Sequence, residues 1–408
     1  MDSNAYIELG KAEGWLRPTE NINSIRINGS NQDCRVYEVN TNKLHYNPQN
    51  GRIATFITRY KAEHNDQLPT DQVELDNLIE SMIERENPQR LKKTKLDIKM
   101  KGQQEVAVIL TNGTVIDGNR RFTCLRQLTR NENLPRFMRC YIFPDTFDKK
   151  AIKGLELEIQ LGRDEKVEYN AIDRLVDIDN WVNGGDMTAD EYAKHANMTP
   201  NDMNKSLEQI KTLKRYLEFI NAPGCYHIAK DLKLQGPIES LTSKLKSIKN
   251  EDDREAVLNV VFANLTMQNV GDRTRDVRKL VDNLVQDPNF MDEQLDYAEQ
   301  VLDKLDKTPE DATITTEFLR DYIANDRELQ GNMKASAEKA NRKAGNAKIK
   351  NNQVRAVKDA LASLQSVDCA LLEKLSTEQL QDMNSELGKL SETARELAIN
   401  IATAQQAK

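Results

Sequence analysis

The chain has 408 residues, enough for two or three domains, with 30% charged residues, 5% aromatics and few glycines or prolines. That balance favours helices with long exposed faces, and a net charge of −7 argues against a protein that coats nucleic acid indiscriminately. No window approaches the roughly 18 apolar residues of a membrane span and the polar start lacks a secretory core, so a cytoplasmic protein with no membrane partner is expected.

Residues 1–32 are polar with little periodicity and read as an N-terminal arm. Arg35–Val39 alternates like a strand, and the turn-rich Asn47-Pro-Gln-Asn-Gly-Arg52 follows. Val73, Leu75, Leu78, Ile79, Met82 and Ile83 recur at helical spacing and predict a helix over Gln72–Arg85. Between Arg85 and Lys101 seven basic side chains stand against two acidic ones, a stretch able to meet phosphate or to remain a solvated face.

Asn112-Gly113 between the apolar runs Val106–Leu110 and Val115–Ile116 predicts a two-residue hairpin with a type I′ turn. The hairpin runs directly into Asp117-Gly118-Asn119-Arg120-Arg121, after which Phe122, Leu125 and Leu128 mark a helix and Met138–Phe143 a strand. Residues 33–148 thus form a small α+β domain. A glycine at a strand-to-helix junction lets N–H groups at the helix start face an open space, and Arg120 and Arg121 add planar donors, so an anion such as phosphate suits the loop. The alternative is that both arginines pair with nearby acids.

From Lys150 onward the pattern is helical, with a helical region over 149–222. Inside it Thr188 to Glu191 form a capping box, Asn197 suits a left-handed turn, and Thr199-Pro200 open a second helix whose inner face is Met203, Leu207 and Ile210. This reads as a helix-turn-helix over 188–211. Asn201, Asn204, Lys205 and Glu208 are placed to read base edges, with Lys194, His195 and Lys211 nearer phosphates. A plain helical hairpin is the alternative. A helical domain over 223–330 and a basic linker or arm over 331–359 follow. A helical hairpin or coiled coil spans 360–408, where Met383, Leu387, Leu390, Ala394, Leu397 and Ile401 form a heptad seam. The seam needs a partner helix, from residues 355–373 or from a second chain, which makes a homodimer the expected assembly.

The five cysteines lack CxxC spacing and the four histidines do not cluster, so buried thiols are expected and no metal site is.

Gly102-Gln-Gln-Glu-Val-Ala-Val-Ile followed by Val115-Ile-Asp-Gly-Asn-Arg-Arg-Phe-Thr-Cys-Leu resembles the ParB N-terminal domain of the ParB/sulfiredoxin superfamily. The resemblance covers about Cys34 to Ile220, with the helix-turn-helix in the family's place. It implies that Gly118, Asn119, Arg120 and Arg121 hold the phosphates of CTP or another nucleoside triphosphate with magnesium. It also implies that Gln104 to Val106 lie near a base, and that Glu158, Gln160 and Arg163 complete the phosphate side. Asn119 stands where the family has a loop Glu, which weakens hydrolysis, and where sulfiredoxins have a reactive Cys, which argues against thiol repair. The second motif is degraded to Glu158-Ile-Gln-Leu-Gly-Arg163, and Arg85–Lys101 is an insertion. The loop also resembles the Asp-Gly-Gln-Gln-Arg loop of certain modification-dependent restriction nucleases, but no Tyr-Gln-Arg box or paired histidines accompany it here.

Three readings follow. One is a DNA-binding protein of partition, regulatory or mobile-element type, controlled by a nucleotide and bound to double-stranded DNA. Another is an enzyme on the same fold, an NTPase, nuclease or small-molecule kinase of a phage-defence system, with Asp117, Asn119 and Glu158 as candidate catalytic residues. The third is an assembly adaptor with a vestigial nucleotide site.

Overall fold

The computed structural model describes residues 2–27, 30–132, 136–146, 148–161, 170–267, 273–309 and 313–406. The chain divides into a unit spanning Met1–Glu338 and a second spanning Lys339–Lys408.

Helix α1 (Ser3–Ala12) leads into strand β1 (Leu16–Ile27), which pairs antiparallel with β2 (Ser30–Asn40). The stretch expected to be an arm is therefore a helix and an edge strand. Among the described residues its burial is confined to Tyr6, Ile7, Gly10, Trp15 and Leu16, too few positions to show a period in the sequence. Next come β3 (His45–Tyr46), α2 (Ala54–Glu63), α3 (Gln72–Glu86) and α4 (Pro88–Lys101). The domain continues with β4 (Ala107–Leu110), β5 (Thr114–Asp117), α5 (Asn119–Glu132), β6 (Phe137–Phe143) and α6 (Lys149–Leu161).

The six strands form one mixed sheet in the order β1-β2-β6-β4-β5-β3, with β4 parallel to β6 and β3 parallel to β5. Alternation buries both faces. Ala107, Ile109, Val115, Met138 and Cys140 enter the cluster beneath α3 and α5, while Val108, Leu110, Ile116, Tyr141 and Phe143 meet Leu155 and Ile159 of α6. The Gln72–Arg85 expectation matches α3 within a residue, though Val73 is exposed rather than inward.

The hairpin forms with a different turn. Gly113 alone has positive φ (83°), and its N–H donates to the Leu110 carbonyl at 2.9 Å. A three-residue loop ending in a left-handed glycine replaces the expected type I′ turn, because Asn112 uses its side chain to accept from the Thr114 N–H instead of entering the left-handed region itself.

Beyond the sheet, α7 (Ala171–Ile178) runs into a π-helical turn (Asp179–Asn183), followed by α8 (Ala189–His195), α9 (Pro200–Phe219), α10 (Tyr226–Asp231) and α11 (Gln235–Leu245). The remaining helices of the first unit are α12 (Glu251–Met267), α13 (Arg273–Gln286), α14 (Pro288–Asp306) and the short α15 (Thr316–Phe318). Helix α16 (Arg327–Gln365) carries the chain into the second unit, and α17 (Thr377–Gln406) ends it. The basic stretch expected as a linker or arm lies within α16.

No residue of α17 is buried. The seam residues Leu387, Leu390 and Leu397 are 42–44% exposed, so residues 355–373 do not cover them. Of the five free cysteines only Cys124 and Cys140 are buried, Cys34 and Cys225 are half-buried and Cys369 is exposed, which corrects the expectation that all are core residues. No helix among the described residues is long and apolar enough to cross a membrane.

Candidate functional site

The Asp117–Arg121 loop joins β5 to α5, and Gly118 makes the turn with φ of 101°. The approach is close as well as left-handed: a Cβ at Gly118 would lie 2.8 Å from that of Ala107 and 3.1 Å from a terminal nitrogen of Arg121. Only glycine satisfies both conditions.

Both arginines are engaged by carboxylates. Arg120 Nη2 lies 3.3 Å from Glu86 Oε2 at the C-terminal end of α3. Arg121 pairs with Asp117 at 3.3 Å and with Glu105, which joins the loop to the Gln104–Val106 segment. Burial holds the Arg120 guanidinium below its ordinary pKa; Glu86 opposes this, and the positive charges of Arg52 and Arg90 add to it. Arg52 and Arg90 thus lie close enough to act electrostatically on Arg120, whose carboxylate partner is Glu86. An incoming phosphate or carboxylate would have to take the place of Glu86 on Arg120.

Two buried polar atoms of the loop have no partner among the described residues: the Arg121 Nε donor and the Asn119 Oδ1 acceptor. Asn119 is buried, with its amide nitrogen 3.5 Å from the Ile116 carbonyl. These orphaned atoms fit a polar ligand at the loop.

The other sequence-derived candidates are dispersed. Gln104 is exposed and donates to the Lys101 carbonyl at 2.6 Å, and Val106 is a core residue beside Ile116 and Leu155. Arg163 lies outside the described residues, as does the side chain of Gln160. Glu158 is turned to a different partner. Its Oε1 lies 2.8 Å from His195 Nδ1, at the end of α8, and Gly154 leaves the space that the His195 ring occupies. His195 thus joins α6 to α8 through Glu158.

The helix pair behind that joint has the expected capping. Thr188 and Glu191 cap each other's backbone N–H groups, Asn197 takes φ of 49°, and Thr199 accepts from the Asp202 N–H at 3.1 Å. Tyr192, Ala193, Ala196 and Met203 are buried between the two helices. Along α9, Asn201, Asn204, Lys205, Glu208 and Lys211 are all exposed, as is Lys194 on α8. Spacings of 3, 1, 3 and 3 put the five on one face of α9. Its opposite face, at Met203, Ile210, Leu213 and Leu217, is buried.

The sequence reading missed the charged groups that seat these helices. Lys153 of α6 is 1% exposed, with Nζ 2.7 Å from Asp177 Oδ1 and 3.1 Å from Glu156 Oε2. The Tyr192 hydroxyl donates to Asp177 Oδ2 at 2.6 Å, and the Gly51 N–H lies 3.5 Å from Glu156. Two further buried acids of the same segment are matched by lysines: Asp173 by Lys230 and Asp179 by Lys214, each at 2.6 Å. Burial raises the Glu156 pKa, Lys153 opposes it, and Asp177 adds to the rise. Burial alone would lower the Lys153 pKa, but Asp177 and Glu156 more than reverse that and leave it raised. The available signal was Asp177, an acid set inside the apolar run Leu175-Val-Asp-Ile178, since a charge in a buried period demands a partner.

Among the described residues no group of three or more His, Cys, Asp or Glu side chains is placed to hold a metal ion. No protein-family model matches the chain, and no curated protein matches it.

Proposed function

We propose that this is a ParB-like DNA-binding protein in which α9 enters the major groove of double-stranded DNA, and that an anionic ligand at the Asp117–Arg121 loop, a nucleoside triphosphate such as CTP, regulates the engagement. The observation that carries the reading is the α8–α9 pair: a tight left-handed turn, a buried seam and a single exposed polar face on the second helix. The Glu158–His195 contact supplies a route from α6 to that pair. A ligand phosphate would take over Arg120 from Glu86 and would meet the unpartnered Arg121 Nε. Magnesium commonly accompanies a triphosphate and neutralises its charge; the protein groups that act here are the arginines, which orient the anion.

Anisotropy titration of labelled duplexes with the whole chain tests the DNA reading. Removing a charge that meets phosphate, by Lys205→Ala or Lys211→Ala, should lower the slope of log K against log salt by about 0.9 for each phosphate no longer neutralised. Removing a base-reading side chain by Asn204→Ala should cost about 1–3 kcal/mol on the preferred site alone. Wild-type protein that binds no duplex overturns it.

A second reading is favoured by the ion pairs themselves. With Arg120 on Glu86 and Arg121 on Asp117 and Glu105, the loop's terminal guanidinium nitrogens are already engaged within the protein, as an adaptor with a vestigial site would have them. Calorimetric titration of CTP, ATP and GTP with magnesium into the wild type and the Arg120→Ala, Arg121→Ala double variant separates the two. Saturable binding that disappears in the variant supports the switch; no binding of any nucleotide supports the adaptor.

A further inference from the structure

Helix α4 carries a basic surface that neither the loop nor the helix pair uses. Its inner face is Leu91, 3% exposed, and the half-buried Ile98 two turns on, with Thr94 and Lys95 half-buried between them. The Leu91 carbonyl lies 3.6 Å from Cys124 Sγ of α5, and Lys99 Nζ lies 3.3 Å from Glu132 Oε1 at the far end of α5. The two pairs have the same separation along the chain, so α4 runs parallel to α5 and both helices start at one end, where the charge of Arg90 acts on Arg120. On the outer face Lys92, Lys93, Leu96, Lys99 and Met100 follow one another at helical spacing, all exposed. Arg90 and Lys101 are exposed as well, and Asp97 is the single acid in the sequence of α4.

These cations are not balanced inside the protein. Lys99 has Glu132, but Arg90, Lys92, Lys93, Lys95 and Lys101 form no ion pair among the described residues. The first turn of α4 holds no acid, and Arg90 stands in it, where a cation opposes the helix dipole. In a chain of net charge −7 such a cluster reverses the local sign, which draws a polyanion. Leu96 and Met100, 57% and 71% exposed, offer apolar surface along which lysine stems can lie while the ammonium groups reach outward. Two apolar side chains and no aromatic fall short of the broad apolar face of a helix that lies in a lipid interface. From Arg90 to Lys101 the ladder is roughly 16 Å long, and a DNA strand presents a phosphate about every 3.4 Å. We infer that the outer face of α4 is a second contact to double-stranded DNA, made to the phosphate backbone and independent of base sequence. The inference rests on the DNA-binding reading of α8 and α9 and adds to it a contact that positions the duplex without reading it.

Anisotropy titration of labelled duplexes of several sequences with the whole chain, across a salt series, tests the surface. Lys92→Ala with Lys93→Ala and Lys101→Ala removes three exposed cations and leaves the buried Leu91 in place, so thermal unfolding should stay cooperative. The triple variant should bind every duplex more weakly by the same factor. Its slope of log K against log salt should fall by about 0.9 for each phosphate no longer neutralised, and by about 2.7 if all three lysines meet one. Arginine at the same three positions should restore the wild-type slope, because the contact needs charge. An unchanged slope in the alanine variant, with Asn204→Ala still weakening the preferred site, overturns the α4 contact and leaves the α9 reading standing. A loss confined to one duplex sequence overturns it too, since α4 would then be reading bases. Binding to vesicles of phosphatidylserine and phosphatidylcholine that the alanine variant loses, with its duplex slope unchanged, overturns it in favour of a lipid surface. Wild-type protein that binds no duplex overturns both readings together.

Discussion

At Gly118 the chain leaves β5 with φ of 101° and starts α5 against Ala107, so an added Cβ meets both a disfavoured backbone conformation and a 2.8 Å contact. Gly118→Ala should cost about 1–3 kcal/mol from the conformation, with overpacking added, and should shift the urea midpoint accordingly. A variant as stable as the wild type would mean the loop is free to take another path. Glu156 makes a prediction in pH. Its folded pKa is raised above the ordinary 4.5, so the folded state binds the proton more tightly than the unfolded chain does. The resulting stability is fully present below about 4.5 and is lost as pH rises through the folded value. Glu156→Gln keeps the amide within reach of Lys153 and the Gly51 N–H but removes the titration. Urea unfolding at a series of pH values should therefore show the variant gaining on the wild type as pH rises from 4.5 toward neutrality. Parallel stability curves would show that Glu156 does not titrate in this window.

Among the elements, α8 is the shorter of the helix pair, seven residues long, and depends most on its ends. Thr188→Ala removes the acceptor for the Glu191 N–H and should cost about 1 kcal/mol, read as a lower urea midpoint. An unchanged midpoint would mean that the buried contacts of Tyr192 and Ala196 hold the helix without its cap. This cap, the Asn197 turn and the Pro200 start were all legible in the sequence, because each is a local choice made by one or two residues. So were α3, whose buried Ile79, Met82 and Ile83 recur at helical spacing, and the β4–β5 pair, two apolar runs on either side of Asn112-Gly113. What was not legible depends on distant partners. Asn112-Gly113 marks a turn but not its type, since Thr114 and Lys43 settle which backbone fits. The basic Arg85–Lys101 stretch shows its charge in the sequence but little apolar period; Asn87 accepts from the Arg90 N–H at 3.0 Å, Pro88 follows, and Leu91 is buried, which makes it helix α4. The buried lysines and acids around Asp177 carry no local signature of their pairing, and the pairing of Arg120 with Glu86 joins residues 34 positions apart.

On the scale of the whole molecule, the first unit buries its apolar faces while α17 buries none. Leu387, Leu390, Leu397 and Ile401 repeat at spacings that keep one stripe along the helix, and a stripe of leucines facing water is costly by about 25 cal/mol for each Å² that a partner could cover. We propose that a second copy of the chain supplies that partner, because under the DNA-binding reading two helix-turn-helix units on one assembly would bind two half-sites and gain effective concentration for the second contact. Sedimentation of the wild type should then give twice the chain mass, and Leu390→Glu with Leu397→Glu should give the monomer, since charges at neighbouring seam positions cannot be buried against each other. The same double variant should leave the cooperative unfolding of the first unit in place and should lower apparent affinity on a two-half-site duplex far more than on a single half-site. Equal losses on both duplexes would mean that the seam acts through folding rather than through pairing, and a monomeric wild type would assign the leucine stripe to a different protein.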